Sequence, residues 1–300
     1  MDLMELFFIT LGFAVIVCYG VRLLLFSKML FPKIWFPLPK YFFTSMGAWA
    51  VVTGASEGIG RAYALALAEQ GMNVVIMSRT KAALEDVAKE IVATTGQRVK
   101  VIVTDLMEDV FSEIEDQLCG LNIGILVNNV GMLPSVIPSK FLECAELDQT
   151  ITKVINCNVK SMAKMCKIIL PGMENRGKGV IVNISSGIAS IPFPLYTLYA
   201  ASKTVAPFGV STRMADYQKT NTVTLSPEDF VKSSLQYLRA GDKTHGSVCH
   251  IFLGWLLQSI PAKILYAECV LHGLQDYVKK RAQKTSVSVS SASSEQGRNG

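Results

Sequence analysis

The chain has 300 residues, half of them apolar and 18% charged, with a formal net charge of +5. That length suits one α/β domain with appendages, and the scattered basic residues, with no aromatic interleaving, exclude a nucleic-acid surface. The seven cysteines form no C-x-x-C pair and the three histidines (His245, His250, His272) no metal-ligand spacing, so no metal site is expected and the thiols read as reduced and mostly buried.

Residues 1–30 read as a membrane anchor. Leu6 to Val21 carries no charge, and with Arg22 snorkelling the apolar run reaches Phe26. That is about 31 Å of helix, enough to cross a bilayer core. A buried hydrophobic hairpin is the other reading. A cleaved signal peptide would open on basic residues, whereas Asp2 and Glu5 stand here. Arg22, Lys28, Lys33 and Lys40 follow the apolar run and no basic residue precedes it, which directs the rest of the chain to the cytosol. A reducing compartment agrees with the cysteines. The sequon Asn183-Ile184-Ser185, inside an expected core strand, should then stay unglycosylated. Residues 31–47, with Pro32, Pro37 and Pro39, read as a stiff linker.

From Trp49 short apolar runs alternate with helical patterns. Strands are expected at Trp49–Thr53, Val74–Ser78, Val99–Thr104, Ile123–Val127 and Val180–Ile184. Helices are expected at Ile59–Gln70, Lys81–Thr95, Leu147–Leu170 and Glu228–Arg239. Near-continuous Val/Ile runs mark strands buried on both faces, hence an α/β, doubly wound (Rossmann) and mostly parallel sheet across residues 48–285. Ile251–Leu274 is apolar and reads as a membrane-dipping flap, a pocket wall or plain core; Pro261 disfavours a second span. Lys279-Lys280-Arg281 reads as a solvated run, with anionic lipid as the alternative. The Ser-rich residues 286–300 read as a disordered tail.

Between the first strand and first helix lies Thr53-Gly54-Ala55-Ser56-Glu57-Gly58-Ile59-Gly60. Glycines there permit a tight turn and close approach of backbone to a pyrophosphate, which the helix N-terminus then receives. After the second strand an acidic residue would hold the 2′-hydroxyl of NAD; here Ser78-Arg79 stands instead, and an arginine suits the 2′-phosphate of NADP(H). A solvent-facing loop arginine is the plainer alternative. Asp105 follows the third strand, either at an adenine edge or as a helix N-cap. Asn128-Asn129-Val130-Gly131 closes the fourth strand and can line the adenosine ribose or brace the turn.

Tyr199-Ala-Ala-Ser-Lys203, with Ser186 upstream, carries the chemistry. Helix positions i and i+4 share a face, so the Lys203 ammonium can lie beside the Tyr199 phenol and lower its pKa from about 10. Ser186, on the loop leaving a strand, can bond the same substrate oxygen. The set suits reduction of a carbonyl.

In this order, T-G-x-x-x-G-I-G, N-N-x-G, a mid-helix Asn, Ser, Y-x-x-x-K and P-x-G-V-x-T resemble the short-chain dehydrogenase/reductase family over roughly Trp49 to Thr212. The anchor, the phrase Gly124-Ile-Leu-Val-Asn-Asn-Val-Gly-Met-Leu-Pro134 and the late apolar block resemble its membrane-bound 17β-hydroxysteroid dehydrogenases, with 3-ketoacyl-CoA reductases of fatty-acid elongation as near neighbours. The resemblance implies an endoplasmic-reticulum protein that reduces a steroid or other lipid-like ketone with NADPH, and a homodimer. It implies that Tyr199 is the general acid, that Lys203 depresses its pKa and bonds the nicotinamide ribose, and that Ser186 polarises the carbonyl. Asn158 would hold a water leading from Lys203 to solvent; without the others it reads as a helix-kinking polar residue. Pro207 and Val210 would join the cofactor contacts.

One departure from that pattern stands out. Only Thr204, Val205 and Ala206 separate Lys203 from Pro207, where the family has the rest of a long helix and a strand. About 20 residues at ordinary element lengths are missing. Pro207 disfavours helix at Ala206, leaving the catalytic helix two or three turns. The sheet would lose an interior strand and the homodimer part of its contact. The chain reads as a shortened reductase with weak or no activity, or as a catalytically inactive NADP-binding isoform.

Overall fold

In this computed structural model, residues 2–39, 41–135, 137–190, 195–203, 220, 224–237, 247–258, 264 and 267–280 are described. The elements are α1 (Leu3–Leu30), α2 (Pro32–Trp35), α3 (Phe42–Met46), β1 (Trp49–Thr53), α4 (Gly58–Glu69), β2 (Asn73–Ser78), α5 (Lys81–Thr95) and β3 (Val99–Val103). There follow α6 (Phe111–Leu118), β4 (Ile123–Asn128), α7 (Leu147–Ile155), α8 (Ser161–Asn175), β5 (Val180–Asn183), α9 (Thr197–Ser202), α10 (Pro227–Gln236) and α11 (Val248–Gln258). A final helix, α12, covers residues 268–280.

The five strands run parallel in the order β3-β2-β1-β4-β5. Alternate side chains along each strand enter different layers. One layer joins Ala50, Val52, Ile76 and Val127 to Leu67 of α4, Ile91 of α5 and Val231 of α10. The other joins Val51, Val75, Met77 and Leu126 to Ile114 of α6 and Met165 and Ile169 of α8. β4 is buried along its whole length, whereas β5, at one edge of the described sheet, is half-buried at its first three residues.

Each helix has a local cause. α5 presents Leu84, Val87 and Ile91 on one stripe and stops at Gly96, whose φ of +70° suits glycine. α10 starts at Ser226, whose hydroxyl accepts the Asp229 N–H, with Pro227 in the first turn. It returns to the body through a buried hydroxyl pair, Tyr63 and Ser234, 2.8 Å apart.

Four features differ from the sequence expectation. α6 was not anticipated. The long helix expected from Leu147 is interrupted by a π-turn at Asn156–Lys160 and continues to Asn175. α9 has six residues, fewer than two turns. Within the expected linker, α3 delivers Phe43 to the core at 4% exposure.

α1 contains a stretch, Met4–Lys28, of 25 residues and mean hydropathy 2.2, none of it buried, long and apolar enough to cross a membrane. Just beyond, Lys28 Nζ lies 5.3 Å from the Trp35 ring centroid, the pairing of cation and aromatic common at a bilayer surface. In the late apolar stretch, α11 buries His250 and Ile251 and exposes Phe252; its inner face is core. The junction at 204–206, Arg281 and the tail 286–300 lie outside the described residues.

Candidate active site

At the carboxyl end of β1 the chain turns through Gly54, with φ +65°, and enters α4 at Gly58. A Cβ on Gly60 would collide with the Gly54 carbonyl and with Asn129, so only glycine lets α4 pack this closely on the turn. Asn129 fixes the turn. Its Nδ2 donates to the carbonyls of Thr53 and Gly54, both at 3.1 Å, and its N–H donates to Thr53 Oγ1 at 3.0 Å. The Glu57 side chain does not cap α4, which leaves first-turn N–H groups for an anion. Ser56 and Ile59 are half-buried on this loop. The cradle fits a pyrophosphate.

Ser78 ends β2, and its hydroxyl accepts the Thr80 N–H. Arg79 is exposed, with Nη1 3.7 Å from Asp105 Oδ2. Asp105 Oδ1 accepts the Met107 N–H at 3.0 Å; α6 begins only at Phe111, so Asp105 closes a turn and is not its N-cap. Asn128 is buried, and its Nδ2 donates to Asn183 Oδ1 at 2.9 Å and Cys166 Sγ at 3.5 Å. Its amide nitrogen braces β4 to β5, while its buried Oδ1 has no hydrogen-bond partner among the described residues. Gly131 abuts Lys203: a Cβ there would lie 2.5 Å from Nζ. Pro207 and Val210 lie outside the described residues.

Tyr199, on α9, is 5% exposed. The Ser186 side chain hydrogen-bonds it. Burial raises the phenol pKa above its ordinary value; the Ser186 bond pulls it down and Tyr196 pushes it further up. The phenol is therefore held in its protonated, donating form. Burial gives a rise where a depression by Lys203 was expected, and Lys203 makes no contribution because α9 ends at Ser202. Lys203 is extended (φ −122°, ψ 121°), so the helical i, i+4 face is not completed. Its ammonium, buried beyond β4 and β5, donates to the carbonyls of Val130 at 3.3 Å and Ile184 at 3.2 Å. Burial brings its pKa from 10.5 to about 8.

Asn158 sits in the π-turn, a wide turn that recurs at functional sites. Its Nδ2 donates to the Met132 carbonyl at 3.0 Å and to Ser202 Oγ at 2.8 Å, while its Oδ1 accepts the Met132 N–H at 2.8 Å. Ser202 Oγ in turn donates to the Tyr199 carbonyl at 2.9 Å. Asn158 thus joins the loop after β4 to the end of the tyrosine helix, and lines a small cavity with Lys203, Thr53 and Ser161. Sequence reasoning left Asn128-Asn129-Val130-Gly131 between lining a ribose and bracing the turn, and Asn129 braces the turn; it gave Ser202 no role. The neighbours Asn128 and Lys203 were the available signals.

Beside α9 a groove of about 380 Å³, its open mouth included, is walled by Pro134, Ile137, Phe141, Leu147, Leu195 and Tyr196 among others. It is concave and largely apolar, the ordinary character of a small-molecule site.

A glycine cradle, a hydroxyl pair and an adjoining apolar groove coincide with a family match: residues 48–226 match the model described as short chain dehydrogenase. The chain belongs to the short-chain dehydrogenase family. It is an oxidoreductase by that membership. A 17-beta-hydroxysteroid dehydrogenase type 3 of Danio rerio is 49% identical, over 95% of this chain and 100% of the relative. A very-long-chain 3-oxoacyl-CoA reductase of Homo sapiens is 39% identical, over 76% of this chain and 80% of the relative. A solved short-chain dehydrogenase from Sphingobium yanoikuyae, in complex with NADPH, superposes with TM-score 0.60 at 24% identity, over 71% of this chain and 96% of that one. The Danio match spans 307 positions but takes in 95% of this chain, about 285 residues, so the relative carries about 22 more residues within it. The Homo sapiens match spans 250 positions against about 228 residues here, a similar excess.

Proposed function

We propose that this chain is a membrane-anchored, NADP(H)-dependent reductase of a ketosteroid, of the type that converts androstenedione to testosterone. The observation that carries the reading is the Ser186–Tyr199 hydroxyl pair beside an apolar groove. The identity to the Danio enzyme across nearly the whole chain supports a steroid over a 3-ketoacyl-CoA. The glycine turn and α4 N-terminus hold the pyrophosphate, and Arg79 turns from Asp105 to the 2′-phosphate. The bound dihydronicotinamide supplies the hydride. Ser186 holds the ketone oxygen, and Tyr199, protonated by virtue of its burial, gives its proton to that oxygen as negative charge develops. Asn158 keeps the tyrosine helix against the loop after β4. α1 sits in the endoplasmic-reticulum membrane with the domain in the cytosol, and the working form is a homodimer with a reduced interface.

A second reading rests on Lys203. Its ammonium is engaged by two carbonyls and lies off the Tyr199 helix, and the matched relatives carry about 22 more residues. We place that shortfall after Lys203, where the helix stops short. In this reading the chain binds NADP(H) and reduces ketone slowly or not at all. The test compares the chain with a version carrying the relatives' segment after Lys203. NADPH fluorescence should report binding by both, and androstenedione-dependent NADPH oxidation should be far faster in the lengthened form. Equal turnover refutes the second reading. Faster turnover of a 3-ketoacyl-CoA than of the steroid by the lengthened form refutes the first.

A further inference from the structure

We infer that Gln275 of α12 is a positioning residue for the wall of the apolar groove, and through it sets how tightly a large ketone is held; the inference rests on the steroid reading. The groove's outer wall is the loop after β4, and residues 129–135 and 137–140 of it form no helix or strand. Among its described residues the internal bonds close a short turn: Ser135 Oγ donates to the Ile137 carbonyl and accepts the Ile137 N–H. Those bonds leave the Pro138 carbonyl untouched. Gln275 Nε2 donates to that carbonyl at 3.3 Å, linking positions 137 apart in the chain.

Burial agrees with a docked helix. Ala267, Leu271, Leu274, Gln275 and Val278 are half-buried, and their spacing makes one stripe along α12; Cys269, Val270, His272, Asp276 and Tyr277 are exposed. Pro138 is buried, whereas Ile137 and Phe141 on either side are 38% and 40% exposed. No α12 residue lines the groove, but Pro138 does. Gln275 therefore acts at second hand, by holding a lining residue in place.

Full-length protein in detergent with NADPH tests this with Gln275→Leu, which removes the donor, and Gln275→Lys, which restores one on a long stem. Hydrogen exchange over residues 134–144, equilibrium binding of radiolabelled androstenedione and steady-state kinetics are the readouts. Gln275→Leu should speed exchange in that loop. It should weaken steroid binding and raise KM about two- to tenfold, the worth of one such bond, with kcat and NADPH affinity unchanged. Gln275→Lys should recover most of the loss. If the unaltered protein binds steroid and Gln275→Leu changes neither loop exchange nor steroid affinity, the inference alone falls. An equal loss of NADPH affinity in Gln275→Leu also overturns it, because the residue would then be supporting the whole domain. An unaltered protein that binds no steroid removes the proposed function and this inference with it.

Discussion

Replacing Lys203 with methionine should stabilise the protein at neutral pH and abolish one segment of its pH dependence. The ammonium is 6% exposed and its pKa is brought from 10.5 to about 8. Between those values the unfolded chain binds a proton that the native state has released, so stability rises with pH across that window. The charged form costs the native state most below pH 8, and the cost is gone above pH 10.5. A shift of about 2.5 units at about 1.4 kcal/mol each gives roughly 3 kcal/mol as the upper bound. Methionine forfeits the bonds to Val130 and Ile184, each worth about 1 kcal/mol net, and leaves two carbonyls short of a donor. The gain at pH 7 therefore shrinks to about 1 kcal/mol. Urea unfolding of the detergent-solubilised protein at several pH values measures the difference. The comparison is made with Cys157→Ser in both proteins, because that thiol, pushed up by burial, is coupled to Lys203; Cys166, also pushed up by burial and acting with the opposite sign, cancels in the difference. The wild type should gain about 3 kcal/mol on the variant from pH 8 to 10.5. A flat difference would mean that Lys203 is solvated, and the account of its displacement from Tyr199 would fail.

Three other outcomes are specific. Tyr63→Phe and Ser234→Ala should each lose about 1–3 kcal/mol in thermal or urea unfolding, because each leaves the other hydroxyl buried without its partner, while the double variant should lose little more than either single one. Asn129→Ala releases the Thr53 and Gly54 carbonyls and should weaken NADPH binding about five- to thirtyfold by fluorescence titration, with the sheet intact by circular dichroism. Arg79→Ala should raise the Kd for NADPH at least tenfold and leave that for NADH within twofold; an equal change for both would remove Arg79 from 2′-phosphate recognition.

The strands were legible because residues buried on both faces leave an apolar run that a helix stripe does not imitate, as in Ala50-Val51-Val52 and Ile125-Leu126-Val127. The glycine turn was legible because its backbone demands are local. α6 was passed over because Phe111, Ile114 and Leu118 are set among Ser, Glu and Asp, although they lie on one helix face. The part of the site that escaped is non-local. Asn129 reaches back to Thr53 and Gly54, and Asn158 reaches forward to Ser202, through bonds that sequence spacing does not encode. Lys203 illustrates the limit most clearly. Its spacing from Tyr199 promised a shared helix face, and Pro207 warned of an early stop. Only the backbone of residue 203 reveals that the stop falls one residue too soon for that face to exist.

Phe43 lies in the core, so the connection between α1 and the folded body is confined to about residues 31–41. Even fully stretched, eleven residues reach about 40 Å. With α1 in a bilayer, as proposed, the groove would stay within roughly a domain's width of the lipid. A sterol-like substrate dissolved in the leaflet would then be presented at a local concentration far above its aqueous solubility, and lateral diffusion in the lipid, more than encounter from the cytosol, would govern how fast the groove fills.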